Sequence, residues 1–385
     1  MSAEIILIIT LSIILLISPF VSNLLNLPIA VVEIILGAIA GALGLLHDNE
    51  MFELLAEVGF LYLMLLAGME VNLKELSKLN KSIFIRGFLF LLILYALSIV
   101  SVIVFKFSLI FVVILPLISI GLMLSIQQEI GKTKWLDLAI KVGILGELLS
   151  ILVLTIVSGY FEFGLSKELA INIGILFLFL VILAFIFMGF RTLFWWFPKL
   201  KVYLMPGSDK YFQDVRIAIS LFFIMIVVML ILHLDVVLGA FVVGVFLSTF
   251  FEHNKDLEHK LSPFGFGFLI TIFFVHVGSS IDLSKVSIFL IRDSLFITFL
   301  MIMLRILSSF LFYKDLGFKN MILFGLSLSM PLTLMIATAT LAYQNKVIND
   351  YWFMVFVLTA VLEVIIVMLI VKLFYAKKVN IYRKA

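Results

Sequence analysis

Glu147 sits near the middle of the apolar stretch Leu138–Val157, where an ionised carboxylate costs several kcal/mol unless a charge comes to meet it. A carboxyl group so placed can hold a proton or a metal cation, and exchanging one for the other is its simplest chemistry. Arg305 lies in a second apolar stretch, Phe296–Phe312. Charges of opposite sign at such depth point to a cation path through a bilayer rather than to a passive scaffold. Two prolines stand at matching distances from acids: Pro116 precedes Glu147 by 31 residues and Pro331 precedes Glu363 by 32. Proline removes a backbone donor and frees a carbonyl. Around the first proline stand Ser119, Gly121 and Ser125, and around the second Gly325, Ser327, Ser329 and Thr333. Unwound carbonyls beside small hydroxyls are what a dehydrated monovalent cation coordinates. The plainer reading is that both helices are merely kinked, with Ser and Thr bonding back to their own carbonyls.

Arg305 cannot shed its proton at accessible pH, so it needs an anion. Glu363 is the preferred partner and Glu147 the next. Glu147, Ser119 and Ser150 are therefore expected to bind ion and proton, and Arg305 and Glu363 to supply fixed charge. Pro116, Gly121, Pro331 and Thr333 are expected to shape the two interruptions. His276, the one histidine within a span, reads either as a pH sensor or as a packing group. Glu33, Glu57 and Glu70, near helix ends or small-residue faces, read as capping or interface hydrogen-bonding groups. Cysteine is absent, and neither His-Glu-x-x-His nor Gly-x-Ser-x-Gly occurs, so neither an enzyme nor a cofactor is expected.

These residues must be positioned by a chain of 385 residues that is 64% hydrophobic and 13% charged, with mean hydropathy +1.30. That composition belongs to an all-α polytopic membrane protein. A span takes roughly 20 apolar residues, and reading at that length predicts 13 transmembrane helices. They fall near 4–22, 28–46, 51–71, 83–105, 108–128, 137–158, 168–197, 212–232, 235–250, 263–279, 288–312, 320–342 and 351–374. With the C-terminus cytoplasmic and the N-terminus outside, 21 of the 27 Lys and Arg residues fall on the cytoplasmic side and 5 outside, the asymmetry expected of a correct orientation. The net charge of +3 is thus a topology signal, with no nucleic-acid partner implied. Trp135, Trp195, Trp196 and Trp352 read as an interfacial belt.

The longest polar connection, Phe197–Gln213, lies near the centre of the chain. It divides helices 1–6 from helices 8–13, with the seventh as a bridge. Gly37-Ala38 with Gly41 in the second helix resembles Gly239-Ala240 with Gly244 in the ninth, each a face suited to close packing. Six-helix halves joined by one odd helix enter the membrane from opposite sides, so the repeat is inverted. Interrupted helices at matching places in inverted halves mark a transporter's binding site.

Several runs resemble a known family: Leu27-Pro28 to Glu33, Gly37 and Gly41; Ala56-Glu57-Val58-Gly59; Ala67-Gly68-Met69-Glu70; Gly239-Ala240-Phe241 to Gly244 and Ser248; and Phe273-Phe274-Val275-His276-Val277-Gly278. In this order they resemble the monovalent cation:proton antiporter superfamily, of sodium/hydrogen exchanger fold, closest to its Kef-type branch. The resemblance implies an elevator-type antiporter fold with two broken crossing helices, in a homodimer in a bacterial-type inner (plasma) membrane. It implies a dimerisation subdomain at about 1–80 and 212–280, a core ion-transport subdomain at about 81–160 and 286–376, and a linker helix at about 165–200. The family's acid pair on helix six is occupied here by Gly146-Glu147, and its basic residue on helix eleven by Arg305. The implied activity is secondary exchange of Na+ or K+ for protons, with the transported ion at Glu147. With glycine in place of a first acid, one proton per cation is expected. The alternative within the resemblance is a Kef-type gated potassium efflux channel.

Overall fold

The computed structural model describes residues 3–25, 27–46, 49–71, 73, 80–164, 166–204, 211–251 and 256–382, and every regular element among them is a helix. In chain order these are α1 (Ala3–Leu25), α2 (Ile29–Ala42), α3 (Glu50–Glu70), α4 (Lys81–Phe105), α5 (Ile110–Ile114), α6 (Gly121–Ile130), α7 (Lys134–Phe163), α8 (Lys167–Trp196) and α9 (Pro198–Leu204). They continue with α10 (Gln213–Leu232), α11 (Val236–Phe250), α12 (Asp256–Phe264), α13 (Ile270–Ser279), α14 (Ile288–Ser309), α15 (Tyr313–Ser327), α16 (Leu332–Gln344) and α17 (Asp350–Tyr382). Among the described residues nine helical stretches are long and apolar enough to cross a membrane. The expected second and ninth spans are shorter apolar helices, the fifth is broken into α5 and α6, and the eleventh and twelfth run together as Ile288–Gln344. The thirteen-span tally is therefore not reproduced by length and hydropathy.

Helix starts follow local chemistry. Asn49 accepts a hydrogen bond from Met51 N at 2.9 Å, Asn80 from Ser82 N at 3.0 Å and Asp235 from Val237 N at 2.9 Å, each satisfying a donor that a helix start leaves orphaned. One element departs from expectation. The span near 263–279 begins earlier, at Asp256, and passes through a π-helical turn at Gly265–Leu269. Pro263, within α12, has no N–H to give to the α-helical ladder.

The chain divides into two compact units, Met1–Lys74 with Phe163–Val286, and Glu75–Glu162 with Ser287–Ala385. In the first unit α3 packs on α11 and α13, and α2 on α13. The approach is at backbone distance: a Cβ on Gly244 would overlap the Leu65 carbonyl oxygen, and one on Gly278 the Ile34 carbonyl oxygen. Dispersion contacts and small residues are what bring helices together in lipid. In the second unit α14 is central, packing on α4, α15 and α17. Trp195 and Trp196 are exposed as a belt requires, whereas Trp135 is 2% exposed and packs as core.

Gly244→Ala is expected to lower stability by about 1–3 kcal/mol, because the obstacle is backbone and cannot rotate away. Gly189→Ala on α8, where a Cβ meets nothing within 4 Å, is expected to be neutral or to stabilise by up to about 1 kcal/mol. Thermal unfolding of the purified protein in detergent, followed by tryptophan fluorescence, distinguishes the two.

Candidate functional site

Every group of the site belongs to the second unit. Helix α5 ends at Ile114, and the chain leaves helical form until Gly121 opens α6. Pro116 lies at the head of this break. An unwound backbone in apolar surroundings must find partners for its polar groups, and two side chains supply them. Ile118 N–H donates to Ser150 Oγ of α7 at 3.2 Å, and the Leu117 carbonyl accepts a short bond from Arg305 Nη2 of α14. Helix α7 runs close against the break: a Cβ on Gly146 would stand 2.7 Å from Ile118 Cδ1. An acid at 146 would need the space that Ile118 fills.

The same break carries Ser119, whose hydroxyl donates to Glu147 Oε1 at 3.3 Å and lies 3.2 Å from Thr333 Oγ1. Glu147 is fully buried, its second oxygen has no hydrogen-bond partner, and no described ion pair reaches it. Arg305 and Glu363 are also fully buried, with Arg305 Nη1 3.6 Å from Glu363 Oε1 and 3.0 Å from the Met301 carbonyl oxygen. Charge on Arg305 is thus answered by Glu363, and Glu147 is left with the Ser119 hydroxyl and the Ile120 backbone.

The second interruption separates α15 from α16, with Pro331 immediately before the first residue of α16. Here the plainer expectation holds for part of the set. Ser327 Oγ bonds back to Phe324 O at 2.8 Å, Ser329 Oγ to Gly325 O at 3.1 Å and Thr338 Oγ1 to Leu334 O at 2.7 Å. Thr333 instead faces Ser119 across the two breaks. Gly325 lets α15 lie against α14, where a Cβ would stand 3.1 Å from Ile306 Cα. The side chain of Ser125 lies outside the described residues.

Four other expected groups fall in the first unit. Glu33 is buried and accepts from Thr271 Oγ1 at 2.8 Å, His276 meets Phe52 edge-on with ring centroids 4.9 Å apart, Glu57 is exposed, and Glu70 is half-buried at the end of α3. Sequence reading missed the carbonyl acceptors of Arg305, which depend on where the broken backbone turns. It also missed the pair of Lys260 Nζ with buried Asp214 at 2.5 Å. The signal there was an acid in the first turn of α10.

Comparison with known proteins places the chain. The profile of the family described as "Sodium/hydrogen exchanger, transmembrane" matches residues 9–377. "Probable Na(+)/H(+) antiporter 3" of Methanocaldococcus jannaschii is 28% identical over 372 residues, covering 92% of each chain. The "Na(+)/H(+) antiporter" of Enterococcus hirae is 24% identical over 376 residues, covering 93% of this chain and 94% of that one. The fold is similar to that of the solved sodium proton antiporter MjNhaP1 from Methanocaldococcus jannaschii, with TM-score 0.68, 15% identity, and coverage of 97% and 98%. The superfamily is established by these matches, and the Kef-type branch gains no separate support.

Glu363→Gln should leave Arg305 buried without its counter-charge, and removing one partner of a buried pair costs about 3–5 kcal/mol. Denaturant or thermal unfolding reads the loss; unchanged stability would mean that the carbonyls of Leu117 and Met301 suffice for the guanidinium.

Proposed function

The chain belongs to the sodium/hydrogen exchanger family, and from that premise we propose that it is a secondary antiporter exchanging a monovalent cation for protons, with Glu147 as the shared site. The observation that carries the reading is the unequal treatment of three buried charges. Arg305 and Glu363 answer each other at 3.6 Å, while no described ion pair reaches Glu147, whose partners are the Ser119 hydroxyl at 3.3 Å and the Ile120 backbone. A carboxylate without a fixed counter-charge in low dielectric requires a mobile one. Both H+ and an alkali cation qualify, and one group cannot hold both, so each displaces the other.

One carboxylate and one compensated pair favour a stoichiometry of one proton per cation, with no net charge moved. The names of the relatives, both Na+/H+ antiporters, support antiport, and the gated potassium efflux channel draws no support from them. Elevator movement, with residues 81–160 and 286–376 carrying the site, thirteen spans in an inverted repeat, and a homodimer with N-terminus outside and C-terminus cytoplasmic in an inner membrane complete the reading. Ser119 accompanies Glu147 as ligand. Ser150, occupied by the Ile118 amide, serves by holding the break in place.

In proteoliposomes, Glu147→Gln is expected to abolish proton flux driven by Na+ and by K+ gradients. Exchange that survives the substitution sinks the reading. Under saturating ion gradients, an imposed membrane voltage is expected to leave the wild-type rate unchanged; acceleration by voltage would show that charge is moved and that the one-to-one stoichiometry is wrong.

A further inference from the structure

Among the described hydrogen bonds, Thr333 is the one hydroxyl at the second interruption with a contact to the first: its Oγ1 lies 3.2 Å from Ser119 Oγ, which lies 3.3 Å from Glu147 Oε1. Its neighbours Ser327, the last residue of α15, and Ser329, within the break, spend their protons on carbonyls of α15. Three oxygens from three separate elements thus stand in sequence, ending at a buried carboxylate whose other oxygen has no hydrogen-bond partner. Ser119 has one proton, which it gives to Glu147, so Thr333 must be the donor to Ser119. That arrangement suits an ionised carboxylate awaiting a ligand. When a cation arrives, both hydroxyls can turn lone pairs towards it without moving their oxygens far.

Resting on the reading of Glu147 as the shared site, we infer that Thr333 Oγ1 is a direct ligand of the transported cation, so that the ion is held by groups from both interruptions, and that this hydroxyl sets the size preference. Ligand spacing argues for the smaller alkali cation. Calcium, an ion of nearly the radius of sodium, takes oxygens at about 2.3–2.6 Å, and an octahedron of that size has edges of roughly 3.3–3.7 Å. Both separations are hydrogen-bond spacings: 3.3 Å is the lower limit of that range and 3.2 Å falls just below it, so sodium would spread the oxygens little and potassium more. A tie of this kind also gives the second interruption a part in binding. Without Thr333, no side chain from α16 reaches the Glu147 hydroxyl chain among the described hydrogen bonds.

The test uses full-length Thr333→Val, which keeps the shape and removes the oxygen, beside Thr333→Ser, which keeps the oxygen. Two measurements are made with Na+ and K+: the half-saturating concentration for proton flux in proteoliposomes, and cation-dependent thermal stabilisation of the purified protein. Thr333→Val is expected to raise the Na+ value by roughly tenfold, as the loss of one contact to a charged group does, and to raise the K+ value less. Thr333→Ser is expected to stay close to wild type for both ions. A Thr333→Val protein with wild-type Na+ and K+ values overturns the inference while the Glu147 reading stands. So does an equal loss in both variants with lowered cation-free stability, which would assign Thr333 to packing. Cation-dependent stabilisation that persists undiminished in Glu147→Gln would fell the Glu147 reading itself, and Thr333 with it.

Discussion

An unwound stretch of backbone inside an apolar medium has no water to satisfy it, and the site is built around the solution found for Leu117 and Ile118. Their exposed carbonyl and amide are taken up by Arg305 from α14 and Ser150 from α7. Those two bonds fix the path of the break from either side. Ser119, the next residue, is then directed at Glu147, three residues before Ser150 on α7 and so on the same face. Position of the Ser119 hydroxyl and satisfaction of the backbone are one arrangement, and loss of either bond would misplace the hydroxyl as well as strand a polar group.

The fixed charges obey the same economy. Taking a guanidinium out of water is repaid by hydrogen bonds to its N–H groups as well as by an opposite charge. Arg305 has Glu363 for charge and the carbonyls of Met301 and Leu117 for its two Nη groups, while its Nε has no hydrogen-bond partner. Because the carbonyls do part of the work, Arg305 need not turn to Glu147. Gly146 contributes from the other side. By leaving room for Ile118 it admits the break close to α7, and by carrying no acid it leaves Glu147 as a single negative charge. A change of glycine to acid there would alter packing and charge together.

Much of this was legible from residue types and spacing, and the remainder was hidden for identifiable reasons. Proline with neighbouring glycine announces an interruption because the missing N–H is a local property, and Pro116 and Pro331 both stand at non-helical backbone. Gly37 and Gly244 announce close approach for an equally local reason. What spacing cannot convey is rotation about a helix axis or the course of chain outside a helix. Arg305 plainly needed an anion, but whether Glu147 or Glu363 lay nearer depends on how α7 and α17 present their faces. Its carbonyl acceptor on the break depends on backbone that periodicity says nothing about. Trp135 looks interfacial by its place in the chain and is buried by its place in the fold. Serines around Pro331 are alike in sequence, yet Ser327 and Ser329 bond back to carbonyls of α15, while Thr333, just past the proline, faces Ser119 instead.

On the exchange reading, the charge ledger explains why an empty site should not cross. With a proton or an alkali cation on Glu147, the buried groups of the second unit are neutral as a set, since Arg305 and Glu363 cancel. With nothing bound, one negative charge remains in low dielectric, where even partial compensation by hydroxyl dipoles falls short of hydration. Transit of the loaded form is then favoured over transit of the empty form by the very term that makes the carboxylate bind. Coupling needs no further device: a second fixed cation near Glu147 would neutralise the empty site, permit it to cross unloaded, and dissipate the gradient. The pairing of Arg305 with Glu363 rather than with Glu147 is what keeps that leak closed.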